Sequence, residues 1–67
     1  MNTFGLSKTE VIVVRQLCNV GPNKLIAASM EITESTVKVH MRKILRKLGI
    51  KDRALLAVWA VRNGMDV

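Results

Sequence analysis

The sequence of 67 residues contains one cysteine, one proline, two aromatic residues and no tyrosine. A single cysteine cannot form an intramolecular disulfide, and no signal-peptide pattern opens the chain, so we expect a cytoplasmic protein. The longest uninterrupted apolar run, residues 54–61, is much shorter than the roughly 20 residues that cross a bilayer. These absences argue against a secreted disulfide-stabilised domain and against a transmembrane protein.

Residue sets that carry catalysis or bind metal ions are also missing. The sequence has one histidine, His40, and neither a Ser/His/Asp or Cys/His set nor a glycine-rich phosphate loop. We therefore expect no enzyme activity, no cofactor, no metal site and no small-molecule ligand. His40 is interpreted as a packed, hydrogen-bonded structural residue, and Cys18 as a small core residue.

Acidic residues are scarce in one part of the chain. Eleven Lys and Arg against five Asp and Glu give a net charge of +6, and the charges of residues 1–37 and of residues 54–67 each cancel. The whole excess lies between them, where only Asp52 accompanies Lys38, Arg42, Lys43, Arg46, Lys47, Lys51 and Arg53. Such concentration is typical of a polyanion-binding protein. By charge alone, a solvated basic face, an anionic lipid surface or an acidic protein partner stays an alternative.

Start and stop signals predict four helices. The predicted helices cover about residues 7–20, 23–30, 34–48 and 53–63. Ser7 and Glu10 form a capping-box pattern, Thr33 and Asp52 suit N-cap positions, and Gly49 suits a left-handed helix end. Because no segment alternates with period two, no strand is expected. The sequence predicts an all-α fold in a single domain over residues 1–67.

The second and third predicted helices are separated by only three residues, Glu31, Ile32 and Thr33. A short helix, a tight turn and a longer basic helix form a helix-turn-helix unit. Many such units place glycine at the first turn position, where this chain has Glu31, so the turn must be made without glycine.

The third helix has two contrasting faces. At about 100° per residue, its apolar side chains fall on one side: Val37, Met41, Ile44, Leu45 and Leu48. The opposite side carries Ser35, Val39, Arg42 and Arg46, flanked by Lys38 and Lys43. A valine among cations suits the major groove, where an apolar side chain can contact a thymine methyl and basic neighbours can reach guanine edges and phosphates. We therefore expect double-stranded DNA as the partner.

Four motifs resemble the LuxR/FixJ-type (NarL-type) C-terminal DNA-binding domain of bacterial transcription regulators. They are LSKTE at residues 6–10, NKLIA at 23–27, ITESTVKVH at 32–40 and KLGI at 47–50. The resemblance covers about residues 6–64 and implies a four-helix helix-turn-helix domain. The chain departs from the family pattern at Gly21, which stands one residue later than usual, and at Leu25, Val11 and Ile12, which replace charged residues.

The resemblance implies that Lys38, Val39 and Arg42 reach base edges. Other hydroxyl and cationic side chains on the second and third helices are expected to contact phosphates, which position a protein without reading sequence. This phosphate-contacting set comprises Lys24, Ser35, Thr36, Lys43, Arg46 and Lys47.

The fourth helix contains eight consecutive apolar residues, 54–61. A small domain can cover only one side of such a helix, and an exposed apolar patch usually marks a partner site. The resemblance implies that domains of this type pair through the last helix. We therefore expect a symmetric homodimer whose interface includes Ala54, Leu55, Ala57 and Val58. Periodicity does not separate core from interface here, and it leaves the place of Trp59 open.

Three other functions remain as alternatives. The main one is a protein-interaction module that pairs with a full-length regulator through the last helix and inhibits it. A sigma-factor-like promoter-reading domain and a membrane-surface peptide are weaker candidates. Ile12, expected to point outward from the first helix, is either an ordinary exposed residue or a contact for RNA polymerase, a regulator or another domain.

Overall fold

The computed structural model describes residues 3–67 and contains four helices. They are α1 (Lys8–Asn19), α2 (Asn23–Met30), α3 (Glu34–Leu48) and α4 (Arg53–Arg62). No strand occurs in the described range, which confirms the prediction of an all-α fold. Helix α1 is one residue shorter at each end than the sequence signals indicate, and α4 is one residue shorter at its C-terminal end.

Local capping explains where three of the helices begin. The Ser7 hydroxyl accepts a hydrogen bond from the Glu10 amide at 3.1 Å, and the Ser7 amide donates to the Glu10 carboxylate at 2.8 Å. At α3 the Thr33 hydroxyl accepts from the Thr36 amide at 3.2 Å. The Asp52 carboxylate caps the third amide of α4 at 2.9 Å. Each cap satisfies an amide that has no partner within its own helix.

Helix α3 ends at Gly49, which has a φ of 66°. In this left-handed conformation the Gly49 amide donates to the Arg46 carbonyl, and the Ile50 amide donates to the Leu45 carbonyl at 3.0 Å. Ile50 packs against the core. The C-terminal end of α3, the helix that is predicted to contact DNA, is therefore fixed by hydrogen bonds and by apolar contact.

All four helices contribute to one apolar core. Its buried members are Leu6, Val13, Val14, Leu17, Ile26, Ala27, Val37, Met41, Ile44, Leu56, Ala60 and Met65. The inner stripe of α3 is confirmed, with Leu45 and Leu48 partly buried beside it. One detail of α1 differs from the sequence-based interpretation, since Cys18 is only partly buried. Trp59 packs edge-to-face on Phe4, with ring centroids 4.9 Å apart.

The turn between α2 and α3 is made by Glu31 in a left-handed conformation, with φ 57° and ψ 42°. Its amide donates to the carbonyls of Ala27 and Ala28. Left-handed backbone costs a residue with a Cβ about 1–2 kcal/mol, whereas glycine adopts it freely. The helix-turn-helix geometry is therefore kept at this site despite local strain.

Replacing Glu31 with glycine is expected to raise the free energy of unfolding by about 0.5–1 kcal/mol, because the relief of strain exceeds the added chain entropy of glycine. Ala28→Gly, in the last turn of α2, should lower it by about 1 kcal/mol. Urea titration followed by circular dichroism measures both. Glu31→Gln separates the effect of charge from that of conformation, and an equal gain for the Gln variant would contradict the strain argument.

Candidate nucleic-acid interface

The outer face of α3 forms a ridge of exposed side chains. We call Ser35, Lys38, Val39, Arg42 and Arg46 the α3 ridge, and all five are exposed. Val39 is 39% exposed although it is apolar. Within residues 3–67, no hydrogen bond or ion pair engages the charged ends of Lys38, Arg42 or Arg46. These cations are therefore available to an external partner.

Three hydroxyls cluster where α3 begins. The Thr33 hydroxyl lies 2.9 Å from that of Thr36 and 3.2 Å from that of Ser35. Each hydroxyl oxygen keeps further hydrogen-bonding capacity. The first amides of α3 also lack partners within the helix and point outward, an arrangement that suits a phosphate group. Ser35 and Thr36 thus stand next to the ridge with their hydroxyls pre-oriented by Thr33.

The predicted phosphate-contacting cations do not all have the same surroundings. Lys24 on α2 and Lys43 on α3 are exposed, and no partner engages them among the described residues. Lys47 differs, because its Nζ lies 2.6 Å from Oε1 of Glu10. Its side chain is 43% exposed, whereas that of Glu10 is 5% exposed.

Glu10 is a buried carboxylate, although the sequence predicts for it only a place in the capping box and in the LSKTE motif. Burial raises the pKa of its carboxyl, but the hydrogen bonds from Lys47 and Ser7 and the positive charge of Lys47 outweigh burial and hold that pKa below its usual value. A signal was present in the sequence: position 10 shares the spacing of Val13, Val14 and Leu17, which places it on the buried stripe of α1.

Arg53 is also used inside the molecule. Its guanidinium donates to the Gly21 carbonyl and to the Asn23 side-chain oxygen. The first residue of α4 thereby holds the loop between α1 and α2, where Gly21 has a φ of 86°. Two of the seven cations of residues 38–53, Lys47 and Arg53, consequently bind within the chain, while the cations of the α3 ridge stay free.

The outward side of α4 is apolar. Leu55, Val58 and Val61 are 50%, 49% and 57% exposed, and Ala54 is exposed beside them. Ala57 is partly buried and lines a shallow groove together with Val58, Val61 and Arg62. We call Ala54, Leu55, Val58 and Val61 the α4 face. Val61 was not among the predicted interface residues, although it lies one turn beyond Ala57 and Val58.

The two residues that could suggest other chemistry have ordinary surroundings. His40 is partly buried, and in the described part of the chain it makes no hydrogen bond, so the expected bond is absent. Burial raises the pKa of the Cys18 thiol, and the negative charge of Asp66 adds to this effect. Among residues 3–67 no group of three His, Cys, Asp or Glu side chains is arranged to hold a metal ion. None of the described helices combines the length and the apolar character needed to span a membrane.

The sequence of this four-helix domain matches that of a known protein family. The profile described as "Bacterial regulatory proteins, luxR family" matches residues 5–60, which include all of α1, α2 and α3 and most of α4. The chain belongs to the luxR family. The resemblance noted from the four motifs is thereby confirmed. The family is one of regulatory proteins and not a class of enzymes.

Curated relatives of this luxR-family chain are regulators from several bacteria. The nitrate/nitrite response regulator protein NarL of Escherichia coli is 43% identical over 54 residues, which are 81% of this chain and 25% of the relative. The transcriptional regulatory protein LnrK of Bacillus subtilis is 40% identical over 62 residues, covering 92% of this chain and 28% of the relative. The HTH-type transcriptional regulator AlkS of Ectopseudomonas oleovorans is 35% identical over 60 residues, 90% of this chain and 7% of that protein.

The chain spans about a quarter of the length of the first two relatives. No solved structure matches it. The similarity therefore concerns the four-helix domain and its motifs.

Proposed function

We propose that this luxR-family chain binds double-stranded DNA sequence-specifically and regulates transcription in the bacterial cytoplasm. The observation that supports this proposal is the α3 ridge, an exposed valine between cations that have no partner within residues 3–67. A solvated helix face gains nothing from a central valine, whereas the major groove offers thymine methyl groups at the same depth as guanine acceptors. The names of the relatives, which include nitrate/nitrite response regulators and a helix-turn-helix regulator, point the same way.

Base recognition is assigned to Lys38, Val39 and Arg42. Lys38 and Arg42 are one helical turn apart and can enter the same groove with Val39 between them. The Arg42 guanidinium can donate two hydrogen bonds to one guanine, a contact that discriminates by about 1–3 kcal/mol against a wrong base. Val39 favours a thymine through contact with its methyl group.

Affinity would come mainly from phosphate contacts by Lys24, Ser35, Thr36, Lys43 and Arg46. Neutralisation of phosphates releases counterions from the duplex, so the affinity should fall steeply as salt is added. The hydroxyls and free amides at the start of α3 would fix the register of the helix along the groove. Lys47, also predicted to contact phosphate, is considered separately below because Glu10 engages its ammonium group.

A homodimer through the α4 face would place two copies of α3 on one side of the duplex. Such a symmetric arrangement calls for two half-sites about one helical turn apart, about 34–36 Å. Ala54, Leu55 and Val58 would lie in the interface with Ala57 at its edge, and Val61 would extend it. A contact to RNA polymerase would use the surface of α1 around Ile12, which is 37% exposed.

The second candidate function uses the α4 face alone. A chain that paired through this face with a full-length regulator would prevent that regulator from forming its own dimer. Such an inhibitor does not require unpaired cations and an exposed valine on α3, so the α3 ridge favours DNA binding.

Binding-site selection from a random duplex library, run at two salt concentrations, tests the proposed function. We expect enrichment of a short sequence containing guanine and thymine, present in two copies with a fixed spacing. Affinity for both selected and random duplex should fall as salt rises. A folded chain that enriches no sequence and binds no duplex in dilute buffer would contradict the proposal and favour the inhibitor.

A further inference from the structure

Lys47 lies to one side of the α3 ridge. At about 100° per residue it is about 110° around the helix axis from the midline of Ser35, Val39, Arg42 and Arg46. This direction leads toward the N-terminal end of α1, where its Nζ meets the Glu10 carboxylate at 2.6 Å. The ammonium group is therefore directed to another part of the protein and not along the ridge.

The carboxylate that receives Lys47 needs a cation. The Glu10 side chain is 5% exposed, and the same oxygen, Oε1, also accepts from the Ser7 amide at 2.8 Å. A buried carboxylate without a counterion is strongly destabilising, whereas one with a hydrogen-bonded cation is tolerated. If Lys47 left Glu10 for a phosphate, that carboxylate would lose its partner when DNA binds.

The pair also fixes the far end of α3. This helix has 15 residues and is about 22 Å long. Its N-terminal end is held by the three-residue turn after α2, and its last turn is held to α1 through Lys47, 37 positions from Glu10 in sequence. With both ends fixed, the angle at which the α3 ridge leaves the domain is determined. Base-edge hydrogen bonds tolerate only small errors in that angle, whereas phosphate contacts through long side chains tolerate larger ones.

We propose that Lys47 is a positioning residue that orients the α3 ridge through Glu10, and that it does not contact phosphate. This inference rests on the proposed DNA binding. It predicts that loss of Lys47 weakens sequence discrimination and leaves the counterion release of the complex unchanged.

The test compares two readouts for the full chain and its variants, with the selected duplex and a random duplex as probes. The first is the specificity ratio, the affinity for the selected duplex divided by that for the random one. The second is the slope of the salt dependence, given as the absolute value of the change in log affinity per unit of log salt. For Lys47→Met we expect the ratio to fall about tenfold and the slope to stay unchanged. Lys47→Arg, which can keep the bridge to Glu10, should restore the ratio.

Lys43→Met provides the contrast, because Lys43 is a proposed phosphate contact on the same helix. Its slope should fall by about one, with the ratio unchanged. The folded fraction of each variant is measured by circular dichroism under the binding conditions. If Lys47→Met does not fold, the double variant Glu10→Gln/Lys47→Met leaves no unpaired buried charge and is scored by the same two readouts.

The outcomes separate this inference from the proposed function. A slope that falls by about one in Lys47→Met, with an unchanged ratio, would make Lys47 a phosphate contact and overturn the inference alone. An unchanged ratio and an unchanged slope would also overturn it, leaving the ion pair without a role in recognition. A wild-type chain that binds neither duplex overturns the proposed function, and the inference falls with it.

Discussion

Replacing Arg42 with alanine is expected to reduce affinity for the selected duplex about 10- to 100-fold more than affinity for random duplex. Arg42 is exposed on the α3 ridge, and within residues 3–67 nothing competes for its guanidinium. A bidentate contact to guanine is worth about 1–3 kcal/mol of discrimination, and each 1.4 kcal/mol is a factor of ten. Because Arg42 is exposed, its loss should change the free energy of unfolding by less than about 0.5 kcal/mol. Fluorescence anisotropy titrations with the two duplexes measure the difference.

Lys8→Ala is the matched control for Arg42→Ala. Lys8 is the exposed first residue of α1, so its replacement removes one positive charge that is not part of the α3 ridge. It should change the affinities for both duplexes equally and only slightly. Equal losses on both duplexes in Arg42→Ala would show that Arg42 contacts phosphate and that the base-reading assignment is wrong.

Modified DNA tests the proposed base contacts at the level of single atoms and methyl groups. Exchange of a selected guanine for 7-deazaguanine removes the N7 acceptor, one of the two atoms that Arg42 is proposed to contact. The wild-type chain should lose affinity, and the Arg42→Ala variant should be insensitive to the exchange. Exchange of a selected thymine for uracil removes only a methyl group and should affect the wild-type chain but not Val39→Ala. If the affinity lost through the base exchange added to the affinity lost through the substitution, for 7-deazaguanine with Arg42→Ala or for uracil with Val39→Ala, the proposed contact would be contradicted.

The parts of the fold that sequence predicts well depend on local interactions. Ser7, Thr33 and Asp52 cap helices because each side chain meets an amide three residues later. Gly49 ends α3 because glycine adopts a left-handed backbone without strain. The two faces of α3 follow from helical periodicity. These features therefore follow from residues that are neighbours in the sequence.

The Glu10–Lys47 pair could not be predicted in the same way. Its partners are 37 positions apart, and they meet only because α1 and α3 pack together. The spacing of Glu10 with Val13, Val14 and Leu17 predicts burial, but it does not identify the cation that accompanies the carboxylate. Similarly, Arg53 was counted among the seven cations of residues 38–53, and its spacing did not indicate that it would bind the loop between α1 and α2.

Helix α4 shows another limit of sequence patterns. Its eight consecutive apolar residues carry no periodic signal, so either side could have faced the core. The structure buries Leu56 and Ala60 and leaves Leu55, Val58 and Val61 about half exposed. The choice depends on the entry of the chain at Asp52 and on the contacts with α1 and α3, which are properties of the assembled fold.

Val58→Asp is expected to lower affinity for a duplex with two half-sites by about 100-fold or more, down to that of a duplex with one half-site. Val58 is 49% exposed at the middle of the α4 face, so a carboxylate there is tolerated in the monomer but would lie unpaired in a dimer interface. Linkage of two binding units typically raises affinity by a factor of 10² to 10⁴, and this gain is lost when the units separate. Sedimentation equilibrium on the two half-site duplex should show two chains for the wild type and fewer for the variant.

Ile12→Asp is the control for Val58→Asp, because Ile12 is an exposed apolar residue on α1 and receives the same change of charge. It should leave two-site binding intact, apart from a small general loss caused by the added negative charge.

The comparison of duplexes with one and two half-sites also separates the two candidate functions. If the wild-type chain binds one and two half-sites with equal affinity per site, the α4 face does not join two copies on DNA. An α4 face that instead pairs with a full-length regulator, and loses that pairing in Val58→Asp, would make the inhibitor the better account.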